Sequence, residues 1–187
     1  MKIVVKFGGS SLASAEQFEK VGKIIRENED RAYVVPSAPG KRFPEDVKVT
    51  DMLYGCYAAA ARRDAIDRKL EEIRDRYNGI IEGLGLELSL DQEFEEIRQR
   101  FLDQCGEDYA ASRGEYLNGI IMANYLGYEF VDAAEVIRFD ENGVFAEEET
   151  YAAVAKRLEN CERAVIPGFY GAKPDGSIKT FSRGGSD

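Results

Sequence analysis

The opening of the chain constrains its fold more than any other feature. Lys2-Ile3-Val4-Val5-Lys6 reads as a short β-branched strand that ends at Gly8-Gly9. Ser14 and Gln17 follow as an S-x-x-Q capping box, and Phe18, Val21 and Ile25 fall on one helical face, so a helix is expected to about Asn28. Tyr33-Val34-Val35 is a second strand, and a loop begins at Pro36-Ser37-Ala38-Pro39-Gly40. Strand, glycine loop, helix and strand in that order open an α/β domain built on a parallel sheet.

From about residue 51 to residue 126 the pattern is almost entirely helical. Ile66, Leu70, Ile73, Tyr77, Ile80 and Leu84 keep a spacing of three or four, with Arg62, Glu72 and Arg76 assigned to the solvent face and Gly83 and Gly85 as the stop. Ser89 and Gln92 cap another helix carrying Phe94, Ile97 and Phe101. Tyr109, Tyr116, Ile120 and Ile121 mark a third, closed near Gly127. Two of these helices are expected to form an antiparallel pair, a helical insertion over about residues 55–110 of a single domain. The parallel pattern then resumes. Tyr128 to Val131 is a strand, Tyr151, Val154 and Leu158 lie on a helix, and Ala164-Val165-Ile166 is a strand. Pro174-Asp175-Gly176 makes the turn of a hairpin over 169–181. The glycine-rich Ser182-Arg183-Gly184-Gly185-Ser186-Asp187 would normally introduce another element, so ending there reads as truncation.

The chain has 187 residues, 44% hydrophobic and 32% charged, a soluble globular balance with enough length for one sizeable core. Lys and Arg number 25 against 35 Asp and Glu, and the formal charge of −10 argues against nucleic acid or an anionic membrane as partner. An anionic substrate stays open, because a few local cations suffice. There is no histidine, which excludes Ser-His and Cys-His nucleophile pairs, a histidine base and histidine metal ligands. Acid–base and cation work therefore falls to carboxylates, Lys, Arg or Tyr. Cys56, Cys105 and Cys161 are far apart and none sits in a C-x-x-C, so reduced thiols are expected rather than a zinc site. With neither a signal-peptide pattern nor an apolar stretch of membrane-spanning length, a cytoplasmic protein is expected.

Several segments could carry chemistry. Lys6-Phe7-Gly8-Gly9-Ser10-Ser11 lies between a strand and a capped helix. Glycines there let backbone N–H groups approach a phosphate, the helix dipole adds favourable potential, and Lys6 supplies a point charge. The segment matches neither the Walker spacing nor G-x-G-x-x-G, and a plain βα turn with a solvent lysine fits it equally. Ser37 to Gly40 lies beyond a strand C-terminal end, where ligands bind in open α/β sheets; Lys41 and Arg42 read as ordinary surface loop. Val49-Thr50-Asp51-Met52-Leu53 looks like a helix start capped by Thr50 or Asp51. Gly114 costs a helix about 1 kcal/mol relative to Ala, which points to something approaching the backbone closely. Its neighbour Glu115 is either a ligand for a substrate ammonium or a solvated glutamate. Arg183 offers a guanidinium for a carboxylate, and Asp187 could take an ammonium, magnesium or a lysine. Glu147-Glu148-Glu149 reads as a solvated face or a helix N-terminus.

Taken together, five pieces resemble the aspartate kinases of the amino acid kinase family. They are Val5-Lys6-Phe7-Gly8-Gly9-Ser10-Ser11, Val35-Pro36-Ser37-Ala38-Pro39-Gly40-Lys41, Val49-Thr50-Asp51-Met52-Leu53, Ser112-Arg113-Gly114-Glu115-Tyr116-Leu117 and Ser182-Arg183-Gly184-Gly185-Ser186-Asp187. They follow the family's order across the chain, and the first and last favour aspartate kinases over glutamate, acetylglutamate and uridylate kinases. The resemblance implies a three-layer α/β/α sandwich of the amino acid kinase (carbamate kinase-like) type with a mostly parallel sheet. It implies transfer of the ATP γ-phosphate, with Mg²⁺, to the β-carboxylate of L-aspartate. The product would be 4-phospho-L-aspartate, in the first step of lysine, threonine and methionine synthesis.

The resemblance also implies roles. Lys6 would hold the transferring phosphate, with Phe7, Gly8, Gly9, Ser10 and Ser37 around the ATP phosphates. Thr50, Glu115, Arg183 and Ser186 would contact aspartate, and Asp187 would orient substrate or catalytic groups. No side chain is assigned to a metal. A carboxylate nucleophile is already ionised and needs no general base, which suits a chain without histidine. The family's chain normally continues into a nucleotide-binding lobe and regulatory domains. Residues 1–187 are therefore expected to be the aspartate-binding half of the domain, with the C-terminal nucleotide lobe absent, inactive alone and prone to self-association through uncovered apolar surface. The full-length protein is expected to be a homo-oligomer. The residues leave two other readings: another kinase of this family, or a non-catalytic anion-binding module.

Overall fold

The computed structural model describes residues 1–182 and 185. Its elements run β1 (Ile3–Phe7), α1 (Ala15–Arg26), β2 (Arg31–Pro36), α2 (Val49–Ala61), α3 (Asp67–Gly83), α4 (Asp91–Leu102) and α5 (Glu107–Leu126). β3 (Glu129–Phe130), α6 (Ala133–Val136), α7 (Glu147–Leu158), β4 (Ala164–Val165), β5 (Tyr170–Ala172) and β6 (Ile178–Thr180) follow. The first four strands form one parallel sheet in the order β1-β2-β4-β3. β5 and β6 form the expected antiparallel hairpin, with Gly176 at positive φ in its turn.

Strand alternation makes the layers. Val5, Phe7, Val34, Phe130 and Val165 join the main core with α1, α5 and the helical insertion. Tyr33, Val131, Ala164 and Ile166 point the other way, into a smaller cluster with Val154 and Leu158 of α7. The result is the expected α/β/α arrangement. On the α7 side Val4 is 65% exposed, and an open apolar groove of about 600 Å³ runs past Val4, Tyr33, Val35 and Ile166. Among the described residues no helix is long and apolar enough to cross a membrane.

Helices α3 and α4 pack into the main core. Asp67 pairs with Arg98 at 2.7 Å and Arg74 with Asp91 at 4.0 Å, so α3 and α4 run antiparallel. Ile73 and Tyr77 of α3 and Phe94, Ile97 and Phe101 of α4 share one cluster with Leu53 of α2 and Leu117 of α5. Small residues let α5 be buried around most of its surface; a Cβ at Gly119 would lie 2.7 Å from the Pro167 ring.

Four local expectations are corrected. Ser14 does cap α1, accepting from the Gln17 N–H at 3.4 Å, but a 3₁₀ turn over Gly9–Leu12 separates that helix from the glycines. Its N-terminus therefore does not sit on Gly8-Gly9. α2 begins at Val49 with Lys48 at the N-cap, so neither Thr50 nor Asp51 caps it. α4 begins at Asp91 with Leu90 at the N-cap, and Ser89 only accepts from the Asp91 N–H at 3.2 Å. Val49 and Leu90 are buried, and that burial sets where the chain enters each helix. Arg76 leaves the solvent face and is buried.

Phe101 is fully buried and meets the Tyr57 and Tyr109 rings edge-on. Phe101→Ala is expected to cost about 3–5 kcal/mol in urea denaturation, in one transition. Two separate transitions would show that the insertion unfolds apart from the sheet.

Candidate functional site

β1 and β2 end side by side, Lys6 opposite Val35 and Phe7 opposite Pro36. Parallel strands send both following loops off the same sheet edge, so Gly8-Gly9-Ser10 meets Ser37–Lys41. The Ser37 N–H donates to Phe7 O at 3.0 Å and the Gly40 N–H to Gly9 O at 2.8 Å. The contact is backbone on backbone. A Cβ at Gly40 would lie 2.6 Å from the Gly9 carbonyl carbon, and one at Gly9 would lie 2.8 Å from Ala38 O. Neither position can carry a side chain without parting the loops.

α5 supplies the next wall. A Cβ at Gly114 would lie 2.8 Å from Ala38 Cβ, which is the close approach that a glycine inside a helix announces. Glu115 follows, 7% exposed, and its Oε2 has no hydrogen-bond partner among the described residues. Burial pushes its pKa up to about 7, with the backbone N–H groups of Ala38 and Glu115 itself opposing the rise. One turn further, buried Asn118 donates Nδ2 to Ser37 O at 2.7 Å. Its Oδ1 has no partner among the described residues.

These walls enclose a cavity of about 400 Å³ lined by Gly9 and Ser10, by Ser37–Lys41, by Lys48 and Thr50, and by Glu115. It gathers two ammonium groups, three hydroxyls, glycine-loop backbone and one buried carboxylate. Such a set can take a ligand with an anionic end and a cationic donor. Among the described residues no group of three or more carboxylates or thiols is placed to hold a metal.

Of the residues singled out by sequence, Gly9, Ser10, Ser37, Thr50 and Glu115 come together here. Lys6, Phe7 and Gly8 stand at the end of β1, outside the lining. Arg183, Ser186 and Asp187 lie outside the described residues. Lys41, read as ordinary surface loop, lines the cavity. Lys48 and Asn118 escape a sequence reading: one sits in a polar loop, the other on a helix with no solvent face to contrast with. Arg76 does leave a signal. It lies three residues after Ile73 and four before Ile80, on the buried stripe.

The amino acid kinase family model matches residues 1–187. The chain is 35% identical to aspartokinase 3 of Bacillus subtilis over 98% of its length and 28% identical to the aspartokinase of Chlamydia trachomatis over 99%. In each case it spans 44% of the relative. The crystal structure of Clostridium acetobutylicum aspartate kinase superposes on the whole chain with a TM-score of 0.95 and 48% identity, over 43% of that protein. E. coli aspartokinase III in complex with aspartate and ADP shares the fold at a TM-score of 0.81 and 22% identity, again over all of this chain and 44% of its own.

The raised Glu115 pKa has a stability consequence of definite sign. The folded chain holds the proton more tightly than the unfolded one, so this contribution is complete below the ordinary glutamate range. It is lost as pH rises through about 7. Relative to the native chain, Glu115→Gln is therefore expected to gain about 3 kcal/mol between pH 4 and pH 9 in denaturant titrations. A difference constant with pH would show the carboxylate to be solvated or paired.

Proposed function

Because the chain belongs to the amino acid kinase family, we propose that it is the amino-acid-binding part of an aspartate kinase. The observation that carries this reading is the buried Glu115 carboxylate, whose Oε2 has no hydrogen-bond partner among the described residues, sharing one cavity with Lys41 and Lys48. A substrate ammonium would satisfy Oε2 and draw the pKa back down. The 48% identical Clostridium relative, named an aspartate kinase, supports the choice of amino acid. The chain spans less than half of its relatives, so turnover is proposed for a longer polypeptide, and binding of aspartate for this one.

In this scheme Glu115 takes the L-aspartate ammonium and Thr50 bonds one of its carboxylates. Arg183 and Ser186 hold the carboxylates by their place in the motif, and Asp187 orients the reacting groups. The close-packed glycines and the lysines suit a polyphosphate, with Gly8, Gly9, Ser10 and Ser37 about the ATP phosphates and Lys6 on the transferring group. Mg²⁺ bound with the nucleotide would neutralise phosphate charge. A β-carboxylate oxygen bonds to the γ-phosphorus as the bond to the ADP oxygen breaks. The nucleophile is already ionised, so no proton moves, and the residues contribute position and charge. The product, 4-phospho-L-aspartate, feeds lysine biosynthesis in the cytoplasm, and the longer protein works as a homo-oligomer.

Calorimetric titration with L-aspartate tests the reading on this chain. Saturable binding is expected to tighten about tenfold from pH 6 to pH 8 as Glu115 ionises to receive the ammonium. The trend should flatten in Glu115→Gln and be missing for succinate, which lacks the ammonium. A folded chain that binds no aspartate at either pH rejects the proposal. Binding of glutamate or uridylate instead would favour another kinase of the family.

A further inference from the structure

We propose that Arg76, in the helical insertion, is a positioning residue whose guanidinium sets the glycine loop against the candidate aspartate pocket. The link to aspartate rests on the reading above; the hold on the loop does not.

Residues 40–48 have no regular secondary structure. Phe43 and Val47 are 52% and 50% exposed, so little apolar burial fixes this stretch. Polar ties do so instead. Arg76 projects from α3 with its side chain 6% exposed. Its Nη2 donates to Gly40 O at 2.9 Å and its Nη1 to Val47 O at 2.9 Å, with Asp46 Oδ2 3.3 Å away. One guanidinium thus grips both ends of the loop. Asp46 is also tied to Arg42, accepting from its backbone N–H at 2.9 Å and from its Nε at 2.7 Å. The Arg42 hydrogen bonds hold the Asp46 carboxyl well below the usual range, with the Arg76 charge adding to them.

The grip reaches the pocket through the backbone. Gly40 is held from one side by Arg76, while its N–H donates to Gly9 O on the other. The Val47 tie fixes the residue just before Lys48 and the α2 turn that carries Thr50. Gly40, Lys48 and Thr50 all line the cavity; Arg76 does not. Two carbonyls and a carboxylate suit a planar five-donor fork better than the single nitrogen of an ammonium. A buried charge is also a poor way to stabilise a helix contact, since an apolar side chain of similar volume would do as well. What the guanidinium adds is a fixed loop position.

The test is hydrogen exchange at the Gly40 and Val49 amides of this chain, which donate to Gly9 O at 2.8 Å and Pro39 O at 3.4 Å, beside L-aspartate titration, for Arg76→Met and Arg76→Lys. In Arg76→Met, protection at Gly40 and Val49 is expected to fall about tenfold or more, α5 amides to hold theirs, and aspartate affinity to fall about tenfold. Arg76→Lys should loosen the same two amides, because one nitrogen replaces the two that hold Gly40 O and Val47 O. Ethylguanidinium should restore them in Arg76→Ala. A folded Arg76→Met with native protection at both amides overturns the proposal, as does a lowered melting temperature with loop and affinity unchanged. Should Arg76→Met not fold, native protection in Arg76→Lys overturns it equally. If the native chain binds no aspartate while the loop loosens as expected, the hold on the loop stands and the aspartate reading falls.

Discussion

The candidate site depends on two backbones that touch. Gly9 and Gly40 can meet only because β1 and β2 are parallel and end level, and because neither residue has a Cβ. The 2.8 Å bond between them turns two separate loops into one surface. Gly114 repeats the device from the helical side, where a side chain would strike Ala38. At all three glycines the missing atoms set the geometry, and the groups that line the cavity inherit it.

That geometry explains how a chain of charge −10 can offer an anionic ligand a place. Net charge governs long-range behaviour, whereas Lys41 and Lys48 act within one cavity. The same packing that seats α5 against Ala38 strips water from Glu115. Burial raises the pKa of such a carboxylate even though the backbone N–H groups of Ala38 and Glu115 oppose the rise. Burial, and an Oε2 with no partner among the described residues, together favour a cationic donor.

Much of this was open to a reading of residues, for reasons that differ from element to element. β1, α1 and β2 carry clean periods of two and of three to four, and a cap at Ser14 that is occupied. β3 and β4 are too short to have a period, yet both fall inside the strands expected at Tyr128–Val131 and Ala164–Ile166; α6, four residues long, leaves no such signal. The caps at Thr50 and Ser89 fail because burial of Val49 and Leu90 outweighs one side-chain hydrogen bond. At the site, Gly9, Ser10, Ser37, Thr50 and Glu115 stand in recognisable motifs. Asn118 and Lys48 belong to no pattern; only tertiary contact gives them a place. Arg76 sat on the apolar stripe of its helix, yet its charge argued for the surface.

Arg76 also bears on what a histidine-free site has to accomplish. When an ionised carboxylate attacks phosphorus, no proton needs a carrier, so the protein's contribution reduces to distance, angle and charge. Groups that never touch the ligand then matter as much as those that do. Asn118 holds Ser37 O, Tyr77 donates to Gly114 O at 2.8 Å, and Arg76 holds Gly40 O. Tyr77 and Arg76 are adjacent on α3, one bracing the α5 wall and the other the glycine loop. Helix α3 is thereby part of the candidate site's frame, and a change in how it packs would be felt first as a change in where Gly40 and Glu115 stand relative to each other.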